Sequence, residues 1–395
     1  MSKRLLIKRM MALSLCFCSI TVFSACDGLG GIFPFMNSST QESMAEGVTL
    51  SVVKTDQPVS LVYSEVTDYL SADSEQLVTD FLPMGSYRHD QGKPFSIEYD
   101  LTATAEVPDV ERMVVEMSFD KDFSNVVHKE AFTGAPMTLD VYNLQTDATY
   151  YYRVTAEFED GSKVSAESSV KTDASPRMLN ISGASNVRDI GGWKTEDGKT
   201  IKQGVLYRGG EIDGGKNTGH RDFCLDGKGI KQLRGLGIKT DFDLRSESVK
   251  VGEYSVLGAD VTRNFYNAAQ YQSILESQNA KRTKQIFSDL AKPEAYPVYL
   301  HCTHGVDRAG STVLILEALL GVGKVDLVRD YELSAFYHNY KHVNRNMDNG
   351  GSVLELIEGL ETYQGETLAE KTASFLLSIG VTQDEIDSIR NIFLS

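Results

Sequence analysis

Residues 298–320 carry the pattern that most restricts the fold. The apolar strand Val298–Leu300 runs into the polar stretch His301-Cys302-Thr303-His304-Gly305-Val306-Asp307-Arg308-Ala309-Gly310, and the apolar run STVLILEALLG follows from Ser311. A strand that passes through a short loop directly into a helix belongs to an α/β layer fold. The neighbouring sequence repeats the alternation. Short apolar strands such as IKTDFDL and YPVYLHC are interleaved with helical stretches at Ala309–Leu320, Val325–Tyr337 and Leu368–Phe393. This predicts a central, mainly parallel sheet flanked by helices over residues 178–395.

Upstream the period changes to two. From Val48 the runs VTLSVV, PVSLVY, FSIEYDLTATAEV, RMVVEMSF, PMTLDVYNL, ATYYYRVTAEF and SKVSAESSVKT alternate apolar and polar residues, with turn pairs such as Asp160-Gly161 between them. Several short strands punctuated in this way predict an all-β antiparallel sandwich over 48–173. The stretch from Ser64 to Leu82 reads instead as partly helical, and KTDASPRM reads as the link to the next domain. Leu144, Tyr150, Val154 and Ala156, together with VEMSFDKDFS, resemble the fibronectin type III pattern between Pro94 and Thr172. That resemblance implies a module serving as a spacer or as a ligand-binding unit. The stretch holds no Cys, so it is expected to be dispensable for chemistry, and a fragment starting near Ser175 is expected to fold and work alone.

The amino terminus reads as an export signal. Lys3, Arg4, Lys8 and Arg9 precede an apolar run from Met10 to Val22, and small residues lead into Cys26. The run is short for a membrane span. Small residues directly before a cysteine resemble the lipobox of bacterial lipoproteins, which implies a signal peptide at 1–25, a lipid on Cys26 and a Gly- and Ser-rich tether over 26–47. The expected place is then the bacterial cell envelope, on the periplasmic or surface face, with the membrane as a partner. Cys16 and Cys18 fall in the signal, so only Cys224 and Cys302 stay in the folded part, either paired or free. A disulfide framework is excluded as the design. The formal charge of −16 disfavours nucleic acid as a partner, because binding there relies on neutralising phosphates. A small phosphorylated substrate stays compatible, since a pocket can be locally positive.

The chemistry concentrates in the loop between strand and helix. Successive backbone N–H groups of Thr303, His304, Gly305 and Val306 can face an oxyanion there, and the helix start adds positive potential. Such a field favours the thiolate form of a cysteine at Cys302. Arg308, six positions on, offers a planar fork that grips two phosphate oxygens at once, which Lys cannot imitate. Gly305 permits a turn that a side chain would obstruct.

HCTHGVDRAG resembles the signature loop of the protein-tyrosine phosphatases, most closely the bacterial group with an HCxxGKDR loop. That group acts on phosphotyrosine, phosphoserine/threonine and phosphoinositides. NVRDIGG (Asn186–Gly192), GVLYRGG (Gly204–Gly210), Asp243-Leu244-Arg245 and LLGVGKVDLVRDYELS resemble further signatures of the group. The resemblance implies phosphate-ester hydrolysis with Cys302 as nucleophile, a cysteinyl-phosphate intermediate, Arg308 on the equatorial oxygens, and no metal or other cofactor. Asp307 is the first candidate for the general acid. Asp243, at a strand end, is the second, or else a partner of Arg188 or Arg245. Arg188 and Asp189 are expected to pair beneath the loop, and His301 to support Cys302 from the buried side. Two departures stand out. Val306 replaces the family's loop Lys, which disfavours highly charged phosphoinositides. Ala309 replaces the Ser or Thr after the Arg, so that either Ser311 substitutes or turnover is slow. The expected substrate is a phosphorylated protein or a small phosphomonoester. The alternatives are an inositol polyphosphate or phosphoinositide phosphatase, and a protein that binds phosphorylated ligands without turnover.

Overall fold

The computed structural model describes residues 44–104, 106–174, 176–214, 224–246, 249, 252 and 254–395. The expected signal peptide, Cys26 and the tether up to residue 43 lie outside the described residues. No helix among the described residues is long and apolar enough to cross a membrane.

The chain divides into two compact units. One takes the described residues up to Lys54, Ile97–Leu139 and Tyr150–Ser169; the other takes Thr55–Ser96, Asp140–Thr149 and Val170–Ser395. The first is rich in sheet. β1 (Val48–Val52) pairs antiparallel with β3 (Tyr99–Ala103), while β2 (Phe95–Ile97) lies across the division. β4 (Val110–Ser118), β5 (Val126–Thr133), β7 (Thr149–Phe158) and β8 (Lys163–Lys171) form a sheet of order β5-β4-β7-β8, and β6 (Leu139–Val141) again crosses the division. The alternation read in the sequence is visible in β7, where Tyr150, Tyr152, Val154, Ala156 and Phe158 are buried in turn.

The second unit is α/β. Its sheet has the order β12-β11-β13-β10-β9, from β9 (Arg188–Asp189), β10 (Leu206–Gly209), β11 (Thr240–Asp243), β12 (Thr262–Phe265) and β13 (Val298–His301). Four strands run parallel, and β9 pairs antiparallel with β10. Successive side chains of β13 go to opposite faces. Val298 and Leu300 join the large core, and Tyr299 joins a smaller one with Leu233. Leu233 comes from α2 (Gly227–Gly235), after the first helix α1 (Ser64–Ser71). The large core takes Ile286, Phe287 and Leu290 from α3 (Ala280–Leu290) and most of α4 (Asp307–Leu320). It is completed by α5 (Lys324–Glu332), α6 (Val353–Glu361), α7 (Leu368–Ser378) and α8 (Gln383–Phe393). α4 is buried from Ala309 to Leu320, which explains why its sequence is apolar all round.

Three expectations change. The stretch 368–393 is two helices, because Gly380 takes φ +92° and Thr382 and Glu385 form a capping box that starts α8 afresh. The stretch 325–337 is α5 followed by a tighter 3₁₀ turn at Leu333–Phe336. The third change matters most. The α/β unit does not begin at residue 178, and 48–173 is not one body. Val62, Val66 and Tyr69 recur at helical spacing around α1, and with Val78 they are buried in the same core as Leu300, Phe336 and Leu356.

Candidate active site

Cys302 follows β13 and is 1% exposed. The backbone carbonyls of residues 302–305 are each engaged by a hydrogen-bonding group of the surrounding fold. Cys302 O faces His301 Nδ1 at 3.2 Å, and Thr303 O accepts the Glu211 N–H at 3.0 Å. His304 O accepts Asn186 Nδ2 at 3.3 Å, and Gly305 O accepts an Arg208 guanidinium N–H at 2.9 Å. In a planar trans peptide the next N–H points opposite to the carbonyl. Pinning four carbonyls away from Cys302 therefore turns the N–H groups of Thr303, His304, Gly305 and Val306 inward, as an oxyanion cradle requires. Gly305 has φ +71°, and a Cβ on it would lie 2.5 Å from the backbone of Gly209. The loop thus packs directly on the Gly209-Gly210 pair of the GVLYRGG stretch. Arg308, in the first turn of α4, folds back so that one guanidinium N–H reaches Thr303 Oγ1 at 3.1 Å.

The underside of the loop is ionic. His301 is fully buried, with Nε2 2.9 Å from Asp241 Oδ1, and Ser255 donates to the other Asp241 oxygen at 2.7 Å. Burial works against an imidazolium, but Asp243 and Asp241 outweigh it and push the His301 pKa up. With a carbonyl on one ring nitrogen and a carboxylate on the other, the doubly protonated ring satisfies both. Behind the loop, Arg188 and Arg208 converge on Asp330. Arg188 Nε lies 2.9 Å from Asp330 Oδ1, and Arg208 donates to Oδ2. Burial opposes the Asp330 carboxylate, yet the two guanidiniums hold its pKa below the usual range. The expected Arg188–Asp189 pair is absent. The two are neighbours in β9 and point to opposite faces, and Asp189 pairs with Arg177 at 3.0 Å instead.

The two aspartates proposed as acids have different surroundings. Asp307 opens α4, and its Oδ1 accepts both the Tyr271 hydroxyl and Asn349 Nδ2, the latter at 3.3 Å. A proton on Oδ2 leaves both bonds intact. Tyr271 has φ +50°, an unusual conformation for a bulky residue, held by its N–H donating to Ser311 Oγ at 2.7 Å. Burial, then Tyr331 and Asp307, push the Tyr271 pKa far up, so it stays a donor. Asp243 is fully buried between Arg245, whose Nε lies 2.9 Å from Oδ1, and Arg263. Burial opposes its charge, but His301, Arg245 and Arg263 prevail and hold its pKa well below the carboxylate range. Such a group has no proton to give at neutral pH. Ser311 Oγ donates to the Asp307 carbonyl at 2.7 Å and accepts the Tyr271 N–H at 2.7 Å, so its hydroxyl is engaged on the Asp307 and Tyr271 side of the site.

Residues 179–395 match the profile of the tyrosine phosphatase family, more than half of the chain. The chain belongs to that family. It is 26% identical to a tyrosine-protein phosphatase of Nostoc commune over 196 residues, covering 40% of this chain and 67% of that one. It is 25% identical over 171 residues to a Cupriavidus necator protein provisionally named a tyrosine-protein phosphatase, covering 37% of this chain and 59% of that one. The turn between strand and helix at 302–308 is legible from its local spacing. Sequence alone does not mark Tyr271, Asn349 or Asn186 as site residues. Asn186 lies in the recognised NVRDIGG stretch, which was the available signal, whereas Tyr271 and Asn349 reach the site only through tertiary packing.

Proposed function

We propose that this chain hydrolyses phosphate monoesters through a cysteinyl-phosphate intermediate, with phosphotyrosine or dual-specificity phosphoprotein substrates. The observation that carries this reading is the loop whose carbonyls at 302–305 are all held away from a buried cysteine. Cys302 Sγ attacks phosphorus as the ester P–O bond breaks. Arg308 and the loop N–H groups stabilise the equatorial oxygens while charge moves. Asp307 gives its proton to the leaving oxygen. Water then attacks phosphorus, its proton passes to Asp307, and the P–S bond breaks to release phosphate and Cys302. Val306 in the place of a lysine favours a phosphoprotein over an inositol polyphosphate or phosphoinositide. The test is phosphate release by the chain from Asp27 onward, compared across an aryl phosphate, phosphotyrosine and phosphoserine peptides, and an inositol polyphosphate. Faster release from the inositol phosphate moves the substrate class. Binding without release from any of them makes the chain a phospho-ligand binder.

The same reading places the enzyme in the bacterial envelope, held to a membrane by a lipid on Cys26, with the sheet-rich unit as a fibronectin type III-like spacer. The small residues before Cys26 and the buried alternation around Tyr150 support it. Cys26→Ala is expected to abolish metabolic lipid labelling and move the protein out of the membrane fraction. Unchanged labelling would exclude the anchor.

A further inference from the structure

The segment Tyr87–Asp90 lies outside the region that matches the family, yet it belongs to the α/β unit. Asp90 is 0% exposed. Its Oδ2 accepts the Asn186 backbone N–H at 2.7 Å, and Arg88 Nε donates to Oδ1 at 3.0 Å. Asn186 has φ +55°, a conformation that asparagine tolerates but that still needs holding in place. Its side chain is fully engaged. Oδ1 accepts from Arg188 at 2.6 Å, and Nδ2 donates to Ser334 Oγ at 3.0 Å and to the His304 carbonyl at 3.3 Å. The His304 carbonyl is one of those that must face outward for the loop N–H groups to face in.

A second route from the same segment ends at the same residue. The Arg88 guanidinium lies 4.5 Å from the Tyr337 ring centre, Tyr337 is 4.8 Å from Tyr340, and the Tyr340 ring is 5.4 Å from that of His304. Arg88 also donates to the Ala184 carbonyl at 3.0 Å, two residues before Asn186. The segment is therefore wedged between the two stretches that flank the phosphate loop. Burial of charge is costly unless its partners are fixed, and the two partners of Asp90, the Arg88 guanidinium and the Asn186 N–H, both lie on routes that end at His304.

We infer that Asp90 is a positioning residue for the phosphate loop, acting through Asn186 on the His304 peptide. The inference rests on the phosphatase reading for its kinetic consequence, but not for its structural one. In the full chain, Asp90→Ala is expected to lower kcat for an aryl phosphate about tenfold or more with a smaller change in KM, because misplaced loop donors fail chiefly in the transition state. Hydrogen exchange in peptides spanning 302–306 is expected to quicken. Asp90→Asn keeps an oxygen for the Asn186 N–H and is expected to recover most of both. Tyr69→Phe removes a different link of the same Thr55–Ser96 stretch, the hydroxyl that donates to Glu332, and serves as the structural control. It is expected to lower the melting temperature while leaving kcat and loop exchange as they were. Asn186→Gly keeps the left-handed backbone and removes the pin on His304 together with the bonds to Arg188 and Ser334, so it is expected to lose at least as much as Asp90→Ala and serves if that variant does not fold. Wild-type kcat and loop exchange in Asp90→Ala or Asn186→Gly would overturn the inference, as would equal losses in Tyr69→Phe. A wild-type chain that releases no phosphate would remove the phosphatase reading instead, and the exchange comparison would still decide the role of Asp90.

Discussion

Cys302 and Arg308 stand at the two ends of one loop and are expected to fail differently when replaced. Cys302→Ser puts a poorly ionised hydroxyl where a thiolate attacks, so turnover should fall by roughly 10⁴-fold or more while inorganic phosphate still binds. Arg308→Ala removes the fork on the transferring group, and both phosphate affinity and rate should fall, the rate by roughly 10²–10³-fold. Full activity in a folded Cys302→Ser protein would end the covalent mechanism. The acid is separated by leaving groups. Asp307→Asn should cost roughly 10²–10⁴-fold on an alkyl phosphate and little on a nitrophenyl phosphate, whose leaving oxygen needs no proton. Asp243→Asn should slow both alike, because what it disturbs is the pairing with Arg245 and Arg263. The opposite pattern would move the acid to Asp243. The loop residues are legible in the sequence because they are contiguous, whereas a strand-end carboxylate such as Asp243 looks the same as a proton donor or as an arginine's partner. Tyr271 and Asn349 lie 36 and 42 residues from the Asp307 they serve, and nothing local marks them.

At the scale of the element, α4 both starts the site and carries a buried acid that the chemistry does not use. Glu317 lies three turns along, 1% exposed, with both carboxyl oxygens lacking a hydrogen-bond partner. Burial, with Asp330 beside it, pushes its pKa well above the usual carboxylate range, although Arg208 and Arg188 pull the other way. A raised folded pKa means that the native state holds its proton after the unfolded chain has lost its own. The contribution to stability is therefore complete below the ordinary carboxylate pKa and declines as pH rises from there towards the folded value. Glu317→Gln removes this dependence. It is expected to be more stable than wild type at pH 8, by on the order of 1 kcal/mol or more, with the difference shrinking towards pH 4. Melting curves across that range check it, and parallel curves would mean an ionised Glu317. In the sequence α4 is an apolar run in which a single glutamate looks like a surface position, and only the fold shows that the helix is covered on every side. The converse failure is 368–393, where apolar periodicity continued through Gly380 and hid the stop between α7 and α8.

For the whole molecule, the boundary of the catalytic unit is the point on which sequence and structure part. Strand alternation made 48–173 look like one body, since a short helix between strands carries a weak signal beside many β runs. The link at 171–178 then looked like the start of an independent domain. In the fold, Thr55–Ser96 belongs with Val170–Ser395. Val62, Val66, Tyr69 and Val78 are buried in the main core, Tyr69 donates to the buried Glu332, and Arg345 donates to the Ser74 carbonyl at 2.5 Å and to Gln76 O at 3.2 Å. Each fully buried apolar side chain contributes roughly 1.5–3 kcal/mol, so these four alone account for roughly 6–12 kcal/mol as an upper bound. That is comparable with the whole margin of a typical domain, about 5–15 kcal/mol. A fragment starting near Ser175 is therefore expected to be insoluble or molten and to show less than about a tenth of the activity, in contrast to the sequence-based expectation of a self-sufficient domain. It also lacks Asp90, so any folded fraction should turn over slowly. A chain starting at Met44 keeps all of these contacts and is expected to match the full chain in melting temperature and rate on an aryl phosphate. A fragment from Ser175 that melts cooperatively at the full-chain temperature and retains the full-chain rate would return the boundary to residue 178 and leave Thr55–Ser96 as a covering that the fold does not need.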